Sequence, residues 1–145
     1  MGVNMKPTKL LLIVVFSFII FSCSDDNSVS PDTEAVYSGL TNQNLPVSIT
    51  TKNIDGSQKV IAYSLEYQYD ITGGSYSGSS SQTDSEGLVN ISNNQFVLSL
   101  SENSSDFISG IITSNSIIGD FSVSVVTQSS DTPIVITGTF TVYAH

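Results

Sequence analysis

The residues that could support acid–base chemistry in this 145-residue chain are few and widely separated. The single histidine is His145, the last residue, and a frayed terminus cannot hold a general base in place. We therefore expect neither a serine–histidine or cysteine–histidine nucleophile pair nor a histidine zinc site. Carboxylates remain, and the pairs that we consider for catalysis or metal binding are Glu66 with Asp70 and Asp84 with Glu86.

Both carboxylate pairs are better explained as surface residues than as catalytic groups. Glu66 and Asp70 share one face of a predicted strand and lie about 13 Å apart, too far for the carboxyl pair of a glycosidase. Asp84 and Glu86 lie among turn-forming residues and could join carbonyl oxygens around calcium, but the EF-hand spacing is absent. An acidic turn is the favoured interpretation, so we predict no catalytic residue, no metal site and no cofactor.

Tyrosines offer a different chemistry, the stacking of a ligand on aromatic rings. Tyr63, Tyr67 and Tyr69 alternate along one face of the same predicted strand. Such a row suits either a sugar-stacking platform or a core with hydroxyl groups at its rim. Because isoleucine and leucine share that face, the sequence favours the core.

A glycine- and serine-rich run at 73–81 follows this strand. It contains no lysine and precedes no predicted helix, so it does not have the pattern of a phosphate-binding loop. We predict a flexible surface loop here. If the protein binds a ligand, the sequence suggests a site in this region, formed by Tyr76 in the loop together with Asp84 and Glu86.

The first 22 residues have the organisation of a targeting segment. Lys6 and Lys9 form a basic region, and the apolar run 10–21 follows directly. A stable membrane span needs roughly 20 apolar residues, so this run is too short to be one. Its length is that expected of a cleavable signal peptide, which we assign to residues 1–22.

The apolar run ends at Cys23, the only cysteine in the chain. This arrangement resembles the lipobox of bacterial lipoproteins, in which the thiol receives a diacylglyceryl group and the signal is cut just before it. Ile20 and Ser22 fit that pattern, whereas Phe21 is bulkier than the usual residue. The resemblance implies a membrane anchor of two or three acyl chains at Cys23. The alternative is an ordinary signal peptide with an incidental cysteine.

The residues behind the cysteine begin a polar segment, 23–34, that predicts a flexible tether. Ser24, Asp25 and Asp26 resemble the acidic export tag of surface lipoproteins of the Bacteroidota type. That resemblance implies an outer-membrane protein facing the cell exterior. A generic solvated tether is the alternative, and the two interpretations are compatible.

Removal of the signal peptide leaves two lysines, Lys52 and Lys59, against all 13 acidic residues, hence a formal charge of −11. Such a charge disfavours nucleic acid and anionic membranes as partners. The partners we expect are the membrane, through the lipid, and an envelope protein or glycan of unknown identity.

Residues 35–145 show period-two alternation of apolar and polar side chains, which predicts β-strands, most clearly over 59–72. We predict an all-β domain, an antiparallel β-sandwich of immunoglobulin-like size, with about eight strands and no helix. The segment 37–49 resembles the opening of small β-domains of Bacteroidota lipoproteins, which implies no activity.

Three late strands carry a glycine between two apolar residues on one face, at Gly110, Gly119 and Gly138. Glycine weakens a strand unless a neighbouring side chain fills the gap. We expect a large side chain such as Phe121 or Phe140 to lie over such a glycine.

The sequence therefore predicts a lipid-anchored envelope protein that acts as a non-catalytic binding or adhesion module. The alternative is a structural or accessory lipoprotein without a soluble ligand. A hydrolase of glycans that uses only carboxylates is a distant third.

Overall fold

The computed structural model describes residues 33–102, 105–128 and 130–145. The predicted signal peptide 1–22, the predicted lipidation site Cys23 and the predicted export residues Ser24, Asp25 and Asp26 lie outside the described residues. The described chain contains nine antiparallel β-strands and no helix. They are β1 (Ala35–Thr41), β2 (Pro46–Ile54), β3 (Ser57–Ile71), β4 (Gly74–Thr83), β5 (Val89–Asn90), β6 (Gln95–Ser99), β7 (Phe107–Ile112), β8 (Ser116–Thr127) and β9 (Ser130–Ala144).

All nine strands belong to one sheet with the order β4-β3-β2-β1-β9-β8-β7-β6, and β5 pairs with β3 beyond the end of β4. The sheet curls into a half-barrel. The predicted all-β, antiparallel class is confirmed, but the described strands form one continuous sheet and not the two stacked sheets of a sandwich. Both arrangements bury one face of each strand, so the alternation in the sequence does not distinguish them.

One hydrophobic core fills the concave face of the curled sheet. On β3, Tyr63, Leu65 and Tyr67 are buried while the residues between them are exposed. Buried residues of β6, such as Leu98, belong to the same cluster although β6 is the last strand on the opposite side of the sheet. The two sides of a single sheet can share a core only when the sheet bends over it.

Glycines on the concave face are covered by aromatic rings from the neighbouring strand, as the sequence predicted. Gly138 pairs with Phe121 and Gly119 pairs with Phe140. A Cβ atom added to Gly138 would lie 2.5 Å from Phe121 Cε1, and one added to Gly119 would lie 2.5 Å from Phe140 Cζ. The missing side chains therefore make the space in which the rings pack, and this packing repeats across β6–β9 with Phe96 over Gly110.

The predicted glycine–serine loop at 73–81 is wrong, because this segment is mostly strand β4. β4 pairs with β3 without interruption from Gly74 opposite Ile71 to Thr83 opposite Ala62. Gly78 lies opposite Tyr67, whose ring covers it as the phenylalanines cover the other glycines. The composition of this segment is typical of loops, and its contacts with the tyrosines of β3 stabilise it as a strand.

A tight hairpin joins β5 to β6 and links the two sides of the half-barrel at one corner. Its central residues, Asn93 and Asn94, both have positive φ, of 52° and 60°. This is the type I′ geometry that asparagine tolerates well. Ser92 and Gln95 exchange both backbone hydrogen bonds across the turn. Away from the turn, β5 pairs with β3 and β6 pairs with β7. The two strands of the hairpin therefore separate and join opposite sides of the half-barrel.

Candidate functional site

The half-barrel has two unlike ends. Because the strands are antiparallel, the turn at Asp55–Gly56, the Asn93–Asn94 hairpin and the described chain ends, Thr33 and His145, lie at one end, here called the terminal end. The Thr72–Gly73 turn and the β1–β2, β6–β7 and β8–β9 connections lie at the other, the distal end. β3 alone runs about 45 Å between them at roughly 3.3 Å per residue.

A row of tyrosines leads from the core to the distal end along β3 and β4. This tyrosine row consists of Tyr63, Tyr67, Tyr69 and Tyr76. The Tyr63 hydroxyl lies 2.9 Å from Ser80 Oγ on β4. Tyr69 stacks on Tyr76 of the opposite strand, with ring centroids 5.9 Å apart and planes at 23°. The expected core packing of Tyr63 and Tyr67 is thus confirmed, and the row continues outward to Tyr76, which is 45% exposed.

The environment of the Tyr67 hydroxyl perturbs its protonation. Burial raises the pKa of Tyr67 above its ordinary value of 10.0, and the charges of Tyr69 and Asp106 raise this pKa further. Asp106 precedes β7, on the opposite side of the half-barrel from β3 and β4. Its charge acts on the Tyr67 hydroxyl, so the two residues lie close together, a proximity that sequence spacing alone does not indicate.

Among the strands that the structure describes, β4 forms one free edge of the sheet beside this row. The Asp84 N–H donates to the Ile61 carbonyl oxygen at 2.8 Å. In an antiparallel pair the hydrogen-bonded positions alternate, so the even-numbered residues of β4 bond to β3. The backbone N–H and C=O groups of the odd-numbered residues point away from the sheet. These residues are Ser75, Ser77, Ser79, Ser81 and Thr83.

Charge divides between the two ends of the half-barrel. Both lysines of the described chain have partners near the terminal end: Lys52 Nζ lies 3.6 Å from Glu34 Oε1, and Lys59 Nζ donates to the Glu86 carbonyl oxygen at 2.9 Å. Toward the distal end the outer face of β3 carries Glu66 and Asp70, both exposed as predicted. The distal half of β4 therefore has two carboxylates beside it, whereas the contacts of both described lysines lie near the terminal end.

The ligand residues suggested by the sequence are not brought together. Tyr76 is near the distal end, whereas Asp84 and Glu86 follow β4 at the terminal end, about 25 Å away at roughly 3.3 Å per residue. The Asp84 carboxylate accepts a hydrogen bond from the Glu86 N–H at 2.9 Å, which is a local turn contact. Within the described ranges, no three histidine, cysteine, aspartate or glutamate side chains gather as a metal site would require.

His145 is held in place, contrary to the expectation of a frayed terminus. Its backbone N–H donates to the Val36 carbonyl oxygen at 3.1 Å, and its Nε2 atom is hydrogen-bonded to Ser38 Oγ. The pair lies on the exposed convex face, in a shallow depression that Pro46 also lines. No aspartate or glutamate side chain lines this depression, so the acidic member of a catalytic triad is not among its lining residues.

Comparison of the chain with protein-family models, with curated proteins and with solved structures finds no match. Over the residues that the structure describes, no helix is long and apolar enough to cross a membrane. The candidate site therefore rests on its own geometry, which combines the tyrosine row, Asp106 and the free edge of β4.

Proposed function

We propose that this chain is a lipid-anchored lipoprotein of the outer membrane, facing the cell exterior, whose β-domain is a non-catalytic binding or adhesion module. The anchor is Cys23, and the export signal is Ser24, Asp25 and Asp26. The partner is an envelope protein or glycan. The lipobox-like sequence supports the anchor, and the shape of the domain supports the binding role.

One observation carries the binding role: the chain enters the domain at one end, whereas exposed Tyr76, at the end of the tyrosine row, and the free edge of β4 extend toward the other. Thr33 precedes β1 at the terminal end, so a lipid tether attaches there. Tyr76 and the free edge of β4 lie toward the distal end, where a tethered domain meets a macromolecule with the least obstruction from the membrane.

The proposal is tested by placing a photo-crosslinking amino acid at Tyr76 in intact cells. The matched control is Tyr143, which is also exposed, at 58% against 45%, but lies at the terminal end of β9. We expect a discrete adduct from position 76 and none from position 143. No adduct at position 76, or equal adducts at both, contradicts a distal binding site.

The structural or accessory role is the alternative, and surface accessibility decides between the two. If external protease never reaches the wild-type protein in intact cells, the domain faces the periplasm and the accessory role is the better description. If protease reaches it and the Tyr76 adduct forms, the binding role stands.

A further inference from the structure

The free edge of β4 lacks the devices that usually keep a sheet edge from pairing. Exposed edges are normally protected by charges, prolines, bulges or very short strands. β4 has ten residues, none of them charged and none of them proline, and its register with β3 is unbroken. Every second residue, from Ser75 to Thr83, points an N–H and a C=O group outward. β4 is therefore a template for one more strand.

We infer that the β4 edge binds an extended, basic segment of a partner polypeptide, which adds to the sheet as a strand next to β4. This inference names the partner class of the proposed binding module and so rests on that function. Main-chain hydrogen bonds supply the affinity in such complexes, and alternate side chains supply the specificity.

The basic charge that we infer for the partner is complementary to two carboxylates on β3, the strand next to β4. On the outer face, Ser79 lies directly opposite Glu66, and Ser75 lies directly opposite Asp70. A partner residue next to either serine falls in the same cross-strand row as the carboxylate. Because serine is small, a lysine or arginine side chain extends over it toward the carboxylate. Two basic residues four positions apart in the added strand meet both carboxylates at once.

A second copy of this chain is a poorer occupant of the same edge. Each mature chain carries a formal charge of −11, from two lysines and 13 acidic residues, so two copies repel each other. In a β4–β4 pair, each copy would also place the Glu66 and Asp70 carboxylates on the same outer face. A basic segment relieves this charge, whereas a second copy increases it.

The probe is a set of three synthetic peptides of eleven residues, tested on the full chain purified in detergent. The first alternates threonine and valine and has two lysines four positions apart. The second has glutamates in place of the lysines. The third keeps both lysines but spaces them three apart, which places them on opposite faces of a strand. Fluorescence anisotropy at low salt and at 0.5 M salt measures binding.

We expect the first peptide to bind about tenfold more tightly than either of the others at low salt. We expect high salt to remove most of this difference, because the charges are solvent-exposed. Equal binding of the lysine and glutamate peptides overturns the basic partner. Equal binding of the two lysine peptides overturns the registration against Glu66 and Asp70.

Two matched pairs of variants test the edge itself. Ser79→Pro removes an outward N–H that β3 does not use, whereas Ser79→Ala keeps it, so only the proline is expected to weaken binding, by about tenfold. The double variant Glu66→Gln with Asp70→Asn should weaken binding by about threefold to tenfold. Its control, Asp55→Asn with Asp120→Asn, removes the same charge elsewhere and should leave the affinity unchanged.

If Ser79→Pro unfolds the protein, strand addition can still be tested by changing only the peptide. N-methylation at every second peptide residue, in one of the two possible phases, blocks the N–H groups that would face β4. We expect one phase to lose binding and the other to retain it, and equal binding of both phases overturns strand addition.

Failure of this inference is distinguishable from failure of the proposed function. If position 76 forms an adduct in cells with a glycan or an uncharged polymer while the peptides do not bind, the binding module stands and the basic peptide is wrong. Sedimentation showing a dimer that Ser79→Pro dissociates assigns the edge to a second copy and overturns the inference.

Discussion

The ring of Phe121 on β8 lies across the backbone of Gly138 on β9. The two residues are direct cross-strand partners on the concave face, and Phe121 is 1% exposed. A Cβ atom at Gly138 would lie 2.5 Å from two ring carbons of Phe121 and 2.6 Å from Asn42 Oδ1. The absence of a side chain at Gly138 is therefore what lets the Phe121 ring pack against this part of β9.

Gly138→Val should lower the free energy of unfolding by about 2–3 kcal/mol, because its branched side chain must displace a buried ring. Thr139→Val is the matched control: Thr139 is exposed on the opposite face of β9, so this change should be nearly neutral. Urea unfolding followed by circular dichroism measures both. A neutral Gly138→Val shows that the ring moves freely, which contradicts the packing.

The relationship between Phe121 and Gly138 was predictable because both residues lie in the repeated pattern of glycine between apolar neighbours. Period-two alternation likewise predicted the strands and the burial of Tyr63 and Tyr67. These features depend on which face of a strand a residue occupies. Because successive side chains of a strand point to opposite faces, the order of residues along the strand determines that face.

The closure of the sheet and the candidate site were not predictable in the same way. Alternation does not state which strands are neighbours, so the predicted sandwich rested on about eight closely spaced strands without a signal for closure and not on any sign of how the sheet curls. The segment 73–81 was interpreted as a loop because glycine and serine have low strand propensity. Its pairing depends on Tyr67 and other residues of β3. Serine at every second position from 75 to 81 was the available signal.

Tyr67 should make the protein lose stability at high pH. The folded-state pKa of Tyr67 is raised above 10.0, mainly by burial. The stability contributed by its neutral form is fully present below pH 10 and is lost as the pH rises from there through the folded-state pKa. Tyr67→Phe should therefore lose less thermal stability between pH 9 and pH 11 than the wild type.

Tyr143→Phe is the control for this measurement, because Tyr143 is exposed on the convex face. Its melting temperature should change with pH as that of the wild type does. If Tyr67→Phe also follows the wild-type curve, the Tyr67 hydroxyl is not responsible for the alkaline loss of stability.

Cys23→Ala should abolish acyl labelling and membrane retention but leave the domain folded. Within the described residues, the buried side chains from Tyr37 to Val142 already form a hydrophobic core of their own. Ser22→Gly keeps a small residue before the cysteine and should preserve lipidation. Mass spectrometry of the native mature protein is the direct measurement, and an unmodified Cys23 rules out the lipid anchor.

Asp25→Ala with Asp26→Ala should reduce display on the cell surface without affecting lipidation or folding. The two carboxylates directly follow Cys23 and Ser24, and in the proposed function they are part of the export signal, so their removal should weaken that signal. The lipobox-like residues lie upstream, so acyl labelling should persist. Protease shaving and antibody labelling of intact cells measure the exposed fraction.

A charge-matched control separates a specific signal from the loss of two negative charges. Asp55→Ala with Asp120→Ala removes the same charge from exposed positions of the folded domain and should leave surface labelling at the wild-type level. If the Asp25 and Asp26 variant also labels at that level, the acidic pair is only a solvated part of the tether. If both double variants lose labelling equally, export responds to net charge and not to the position of these two residues.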